Sequence, residues 1–357
     1  MEIGSIFEID IKDLYRNTGL EIPQLPVQNG YYPYFFNTGR AAIESVFLQL
    51  KEKGYETVLL PSFLCDSVRD ATIRAGMQIS YYEIKKDLSI DVSSVHIEKR
   101  SIFYVLQYFG KRLEKEMLSL IFQAKANEVI IVEDISLSLL SSDGEYVGFG
   151  DYIIGSLRKW FPIPDGGIVL SRHLEEYKRA SSVNEYTFYY FLAQILKKEY
   201  LHNKDRNQEQ KRYFLSYNED AMRTLFEDYT IRDISKISID ILKSLDFNEI
   251  RSKRIANYDF LCSLIHTIPQ VKIIVDRKGE MTPLGLFILC DERDKLIHHL
   301  ISNGVYCNIH WRTNESTKLY PDSEYLSNCC LTIPCDQRYG KEEMNYIFEV
   351  IKKFYEA

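Results

Sequence analysis

Hydrophobic and polar positions follow helical and strand periods in turn along this chain. Ile43, Val46, Phe47 and Leu50 recur at helical spacing from Arg40 onward, and Gly54 stands where such a helix ends. Thr57 to Leu60 reads as a short apolar strand closed by Pro61. Asp66 is placed to cap a helix running to about Ala75, with Gly76 behind it. Ile79 to Ile84 and Ser101 to Leu106 read as strands, and Glu114 to Ala126 as an amphipathic helix. Glu128 to Val132 is a strand whose apolar run ends at Glu133-Asp134. Strands alternating with helices imply crossover connections and a mainly parallel sheet with helices on both faces. The expected fold class is α/β.

The pattern breaks in three places. Residues 1–36, with Pro23, Pro26, Pro33 and the run Tyr31-Tyr32-Pro33-Tyr34-Phe35-Phe36, read as an irregular N-terminal arm. Residues 172–228 read as a helical insertion or lid outside the sheet. It has an aromatic part at 186–191, a charged part at 197–213 and a loop around Asn203 to Gln208. The periodicity then returns in helices over Ile234 to Leu245 and Phe247 to Ile265. The last third reads as α+β, with strands at Leu284–Leu289, Val305–His310 and Asn328–Ile333. Helices are expected at Glu292–Ser302 and Glu342–Tyr355. The domain division is thus an arm (1–36), a large domain (37–245) and a small C-terminal domain (246–357).

Composition narrows the function classes. The 357 residues carry a net charge of −7, with Lys and Arg scattered among acids, which argues against a nucleic-acid surface. Seven cysteines in a long chain read as reduced thiols. Cys329-Cys330 and Cys335 lack the paired spacing and histidines of a metal site, so no metal is expected. The start Met1-Glu2-Ile3-Gly4 has no basic segment leading into an apolar core. No apolar run approaches the roughly 20 residues of a membrane helix. The cytoplasm is the expected compartment.

Candidate chemistry concentrates in Asp151 to Leu170. Two apolar strands flank a loop that holds Lys159, stiffened by Pro162 and Pro164 and turned by Gly166-Gly167. A lysine kept among Trp160, Phe161 and Ile163 loses solvation, which favours its nucleophilic amine form. An acidic residue, Asp134, ends the preceding strand. Asn37-Thr38-Gly39-Arg40-Ala41 is a turn feeding a helix, and helix starts bind phosphate groups. Helix start, acid and lysine, in that order, are the parts a pyridoxal phosphate site requires.

These pieces resemble the fold type I pyridoxal-phosphate enzymes, and among them the DegT-type sugar aminotransferases. Gly39-Arg40-Ala41-Ala42-Ile43 resembles their phosphate turn. Val58 to Phe63 resembles the strand and proline after the first helix. Glu133-Asp134 resembles the acid pair, and Ser156-x-x-Lys159 with Gly166-Gly167 resembles the lysine loop. The resemblance implies pyridoxal 5′-phosphate joined to Lys159, with Asp134 on the pyridine nitrogen and Glu133 structural. Amides of Gly39, Arg40 and Ala41, with the Ser156 hydroxyl, would hold the phosphate. Arg40 either pairs with the phosphate or points away.

The chain departs from that pattern twice. Cys65 occupies the position of the aromatic that stacks on the cofactor, with Phe63 nearby, and Leu137 replaces a Gln or His. No asparagine stands in the loop region Tyr229 to Ile234. His310, Arg312 and Arg338 are candidates for the substrate edge, where an arginine holds a carboxylate or phosphate. The implied activity is transfer of an amino group from an amino acid such as glutamate to a keto-sugar nucleotide or similar small ketone. Alternatives are another pyridoxal-phosphate reaction, such as a lyase or dehydratase, or a non-catalytic binding protein of this fold. A homodimer is expected, because this fold places each site near a second subunit. The aromatic clusters at 31–36 and 186–191 suit an interface.

Overall fold

The apolar runs of the first half assemble into one sheet. The computed structural model describes residues 1–12, 21–26, 30–142, 146–203, 208–275, 277–315 and 317–356. A two-residue strand β1 (Ile3–Gly4) and the strand β2 (Tyr32–Phe36) precede helix α1 (Gly39–Glu52). Then follow β3 (Thr57–Pro61), α2 (Asp66–Arg74), β4 (Gln78–Tyr82), β5 (Ile102–Leu106), α3 (Lys115–Lys125), β6 (Ile130–Asp134), β7 (Tyr152–Ser156) and β8 (Gly167–Ser171). The sheet order is β2-β8-β7-β6-β5-β3-β4. β3 to β7 run parallel, while β8 is antiparallel to β7 and β2 antiparallel to β8. Val58, Leu60, Phe103, Val105, Ile131 and Ile154 pack with Ala42, Val46 and Phe47 of α1 in one core. Each such buried large side chain contributes about 1.5–3 kcal/mol.

The aromatic run at 32–36 is not irregular. It is the edge strand β2, paired along its length with β8. Pro33 is tolerated because an edge strand needs hydrogen bonds on one side only. A second difference lies at α2. Its cap is Cys65, which makes no side-chain cap bond, and Asp66 is the first helical residue.

Helices α4 (Glu185–His202) and α5 (Gln208–Glu227) pack against each other outside the sheet. The aromatic stretch 186–191 lies within α4. Tyr186 and Tyr190, one helical turn apart, pack with Ala221 of α5. Of the expected loop at 203–208, residues 204–207 lie outside the described residues.

After α6 (Lys236–Lys243) and α7 (Phe247–Ile265), a three-stranded sheet forms from β9 (Lys272–Ile273), β10 (Leu286–Leu289) and β12 (Cys330–Ile333), in the order β12-β10-β9. Helix α8 (Arg293–Ser302), strand β11 (Val305–Tyr306) and helix α9 (Pro321–Cys329) lie between β10 and β12, and α10 (Lys341–Glu356) ends the chain. The strand expected over 305–310 is only two residues long, because β11 pairs with β1 rather than continuing the sheet. The strand expected from Asn328 starts at Cys330, since the preceding residues finish α9. This part has its own core, built by Tyr258, Leu261, Leu286, Ile288, Leu296, Leu331 and Ile347, and Ile3 of the N-terminus joins it. Among the described residues no helix is long and apolar enough to cross a membrane.

Candidate active site

The parallel order brings three chain segments to one end of the sheet. Asp134 ends β6, Ser156 ends β7, and the start of α1 lies beside them. The α1 start is held by the lysine turn. Gly166 N–H donates to Asn37 O at 2.8 Å, and Leu157 N–H donates to Gly166 O at 3.1 Å. Gly167 makes this approach possible, because a Cβ there would fall 2.2 Å from Thr38 O. Gly39 packs as closely on the other side, where a Cβ would lie 3.0 Å from Ser156 Cβ. The expected loop around Lys159 is a 3-10 turn, Leu157–Lys159. Its return is pinned by buried Asp165, which accepts from Ser235 Oγ at 2.7 Å, Ser235 N at 3.0 Å and Thr187 Oγ1 at 3.2 Å.

A cavity of about 290 Å³ opens between these segments. Gly39, Arg40, Cys65, Asp134, Leu137, Ser156, Lys159, His310 and Trp311 are among its walls. A second cavity of about 450 Å³ adjoins it, and Arg158, Lys159 and His310 line both. Its far wall comes from the small unit and from residues 4–7 of the N-terminus.

Asp134 is buried and fully engaged in orientation. Tyr104 O–H donates to Oδ2 at 2.6 Å, and Ser136 N–H donates to Oδ1 at 2.7 Å. Burial and the neighbouring Asp134 push the Tyr104 hydroxyl far up, so it stays a neutral donor. Glu133 points elsewhere. Its carboxylate accepts from Gly148 N, Gly150 N and Gln107 Nε2 at 3.0–3.1 Å, and burial raises its pKa. His310 meets Thr332 Oγ1 through Nδ1 at 2.9 Å. Burial, and then the charge of Lys159, lower its pKa to about 3, so the ring is neutral near pH 7.

One residue ties the lysine turn to the acid. Trp160 is 0% exposed, and its indole N–H donates to Ser136 O at 2.9 Å. Ser136 is the same residue whose N–H holds Asp134. Arg254 of α7 lies 4.4 Å from the Trp160 ring and donates through Nε to Gln337 Oε1 at 2.7 Å. Gln337 in turn donates to Trp160 O at 2.7 Å.

No family model and no curated protein matches the chain. Solved structures do. Spr1654 from Streptococcus pneumoniae in its PLP form is 14% identical, with a TM-score of 0.67 over 100% of this chain and 99% of that one. The sugar aminotransferase CalS13 from Micromonospora echinospora is 12% identical, with a TM-score of 0.61 over 90% and 87%. A DegT DnrJ EryC1 StrS aminotransferase from Brucella abortus is 16% identical, with a TM-score of 0.62 over 92% and 87%. The fold is that of the DegT-type aminotransferases.

Within this aminotransferase fold, the donor set fits pyridoxal phosphate. A primary amine, an oriented carboxylate, a helix start and a hydroxyl face one cavity, and Gly39 is packed so that Ser156 stands beside that helix start. One detail of the phosphate turn differs from expectation, and one takes the second of two alternatives. Ala41 N–H is taken by the Thr38 Oγ1 cap at 3.0 Å, which leaves the cavity to Gly39 and Arg40. The Arg40 guanidinium turns away. It donates to Leu225 O and lies 4.5 Å from the Tyr229 ring, with Arg74 4.2 Å from the same ring. The 229–234 segment reaches Asn37 rather than offering an asparagine of its own. Asn37 N–H donates to Arg232 O at 2.9 Å.

The departures at 65 and 137 both lie on the cavity wall of this aminotransferase fold. Phe63 cannot stack on a cofactor, because its buried ring packs against Tyr108, Phe287 and Trp311. Trp311, from the small unit, supplies the aromatic surface of the cavity instead. Of the three substrate candidates, only His310 reaches the junction of the two cavities. Arg338 also borders the larger cavity, yet its guanidinium is committed to Asp336 at 2.8 Å, Glu8 at 3.1 Å and Ile6 O at 2.9 Å. Arg312 is exposed and borders neither cavity. Trp311, Tyr104 and Arg158 were not singled out for the site by sequence, and Trp160 only as apolar surface beside the lysine. Tyr104 alone left a signal, as a hydroxyl amid the apolar strand Ile102–Leu106.

Proposed function

We propose that the protein is a pyridoxal-phosphate-dependent aminotransferase that moves an amino group from an amino acid such as glutamate to a keto-sugar nucleotide or similar small ketone. The observation that carries this reading is Lys159 at the junction of two cavities, with Asp134 and the α1 start on the wall of the smaller one. When bound, the cofactor supplies an electron sink and a carrier for the amino group. Lys159 would hold it covalently, and its Nζ, when free, would take up and give back a proton. Asp134 holds a positive charge at the ring nitrogen, and its two fixed donors prevent it from turning away. Gly39 and Arg40 amides and Ser156 hold the phosphate. Neutral His310, the Trp311 ring and the apolar Leu137 side chain line the smaller cavity and limit its hydration. The acceptor and donor enter the larger cavity.

The same reading includes a homodimer in the cytoplasm. Phe226 borders the smaller cavity and is 61% exposed; Tyr229, three residues on, and Phe188 of the neighbouring helix α4 are exposed as well. A second copy covering this rim would exclude water that the single chain admits. All seven cysteines are free, which suits a reducing compartment.

The test is chemical. Protein incubated with pyridoxal phosphate, reduced with borohydride and mapped by peptide analysis carries the label on Lys159. Lys159→Ala carries none and keeps the far-UV spectrum of the parent. A label on another lysine, or none on the parent, overturns the reading.

A further inference from the structure

The wall between the two cavities holds a positive charge that the steps above do not use. Arg158 precedes Lys159 in the turn and borders both cavities. Its guanidinium carbon lies 5.0 Å from the Tyr190 ring and 5.7 Å from the Tyr186 ring, both on α4. Tyr190 is also its hydrogen-bond partner. Aromatic rings orient a guanidinium but carry no net charge. Among the described residues no carboxylate pairs with Arg158.

Two further groups on the larger cavity are incomplete in the same sense. Arg254 is 0% exposed and bonds through Nε and Nη1, but its Nη2 has no partner among the described residues. Burial pulls even this guanidinium down to about 10. Asn218 of α5 borders the cavity with its Oδ1 unpartnered among the described residues. Of the other charges there, Lys159 is the proposed cofactor lysine, and Arg338 and Lys197 together offset Asp336 and Glu8. The cavity therefore holds uncompensated positive charge on one side and a vacant acceptor on another. Uncompensated buried charge is costly, and a bound anion relieves that cost. A planar guanidinium placed by neighbouring rings is suited to the two oxygens of a carboxylate or phosphate.

We propose that Arg158 anchors an oxyanion of the substrate in the larger cavity, with Arg254 adding positive charge from behind the wall and Asn218 accepting from a hydroxyl or amino group of the same molecule. The oxyanion is either the carboxylate of the amino donor or a phosphate of a nucleotide-linked acceptor. That the anion belongs to a substrate rests on the aminotransferase reading. That the cavity binds an anion does not.

The experiment uses the full chain without cofactor. Of the two tryptophans of the sequence, Trp311 lines the smaller cavity and Trp160 packs against Arg254 behind the wall of the larger one, so intrinsic fluorescence reports occupancy. Glutarate and uridine diphosphate are titrated separately. At least one saturates the parent protein; glutarate identifies a carboxylate subsite and uridine diphosphate a phosphate subsite. Arg158→Gln and Arg158→Met each weaken that binding about tenfold or more, as expected for a charged hydrogen bond. Arg158→Lys keeps a measurable part of it. If one charge-removing variant misfolds, the other carries the same expectation. Saturation by neither probe, or unchanged affinity in a folded Arg158→Gln or Arg158→Met, overturns the proposal. A parent that binds glutarate or uridine diphosphate but takes no borohydride-fixed label on Lys159 would overturn the aminotransferase reading and leave the anion site standing.

Discussion

Replacing Trp160 with Phe removes one N–H and a few ring atoms at a position where both are in use. The phenyl ring still covers Arg254. The Ser136 carbonyl, however, loses the donor that now sits at 2.9 Å, inside a core that water does not reach. An unmet buried acceptor costs about 1–3 kcal/mol. The smaller ring leaves a void in a wholly buried site, which adds roughly 1 kcal/mol. Trp160→Phe should therefore lower unfolding free energy in urea by about 2–4 kcal/mol, measured on cofactor-free protein by circular dichroism. A second effect separates positioning from mere stability. Ser136 also fixes Asp134 Oδ1 at 2.7 Å, so a loosened Ser136 lets the acid move. The pH titration of the bound cofactor's visible absorbance should shift in Trp160→Phe. It should stay unchanged in a variant destabilised equally at a remote core position, such as Ile347→Ala in the small unit. Stability within about 0.5 kcal/mol of the parent, or a shift equal in both variants, would refute the link from Trp160 through Ser136 to Asp134.

Three further outcomes follow from the same geometry. Asp134→Ala should keep part of the cofactor binding and lose turnover on the order of a hundredfold or more; near-parental turnover at equal cofactor occupancy would make Asp134 only a partner of Tyr104. His310 has a folded pKa near 3 and an ordinary unfolded value, so below pH 6.5 the unfolded chain takes up a proton that the folded chain does not. Stability then falls as pH drops from 6.5 toward 3, by up to about 1.4 kcal/mol per pH unit from this group, and urea melts of His310→Gln should show a flatter slope across that window than the parent. Sedimentation should find a dimer that survives dilution to nanomolar concentration, as an interface above roughly 2,000 Å² would. Phe226→Glu should weaken it, and a parent that is monomeric while turning over would sink the requirement for a second chain.

The strands β3, β5, β6, β7 and β8 were legible because each is a short apolar run flanked by polar residues, Gly or Pro. Periodicity records burial on both faces directly. Lys159, Asp134 and the Thr38-Gly39 start were legible for a related reason. Each sits where a strand ends or a helix begins, and those boundaries are written locally in residue type. Strand β2 was not legible, since a proline and four aromatics do not state which neighbour they pair with, and the pairing to β8 joins residues far apart in the chain. Arg338 illustrates the opposite failure. Its sequence position suggested a substrate contact, but Glu8 and Ile6, from the other end of the chain, claim its guanidinium. The Arg254, Gln337, Trp160 and Ser136 contacts link four separate segments, and no local pattern encodes such a set. The chain's own order of apolar runs, turns and helix starts thus determined the layered fold and marked Lys159 and Asp134 as the candidate lysine and acid. The tertiary structure alone decided which charges remain unpaired beside that lysine, because pairing depends on distances between segments that only packing sets.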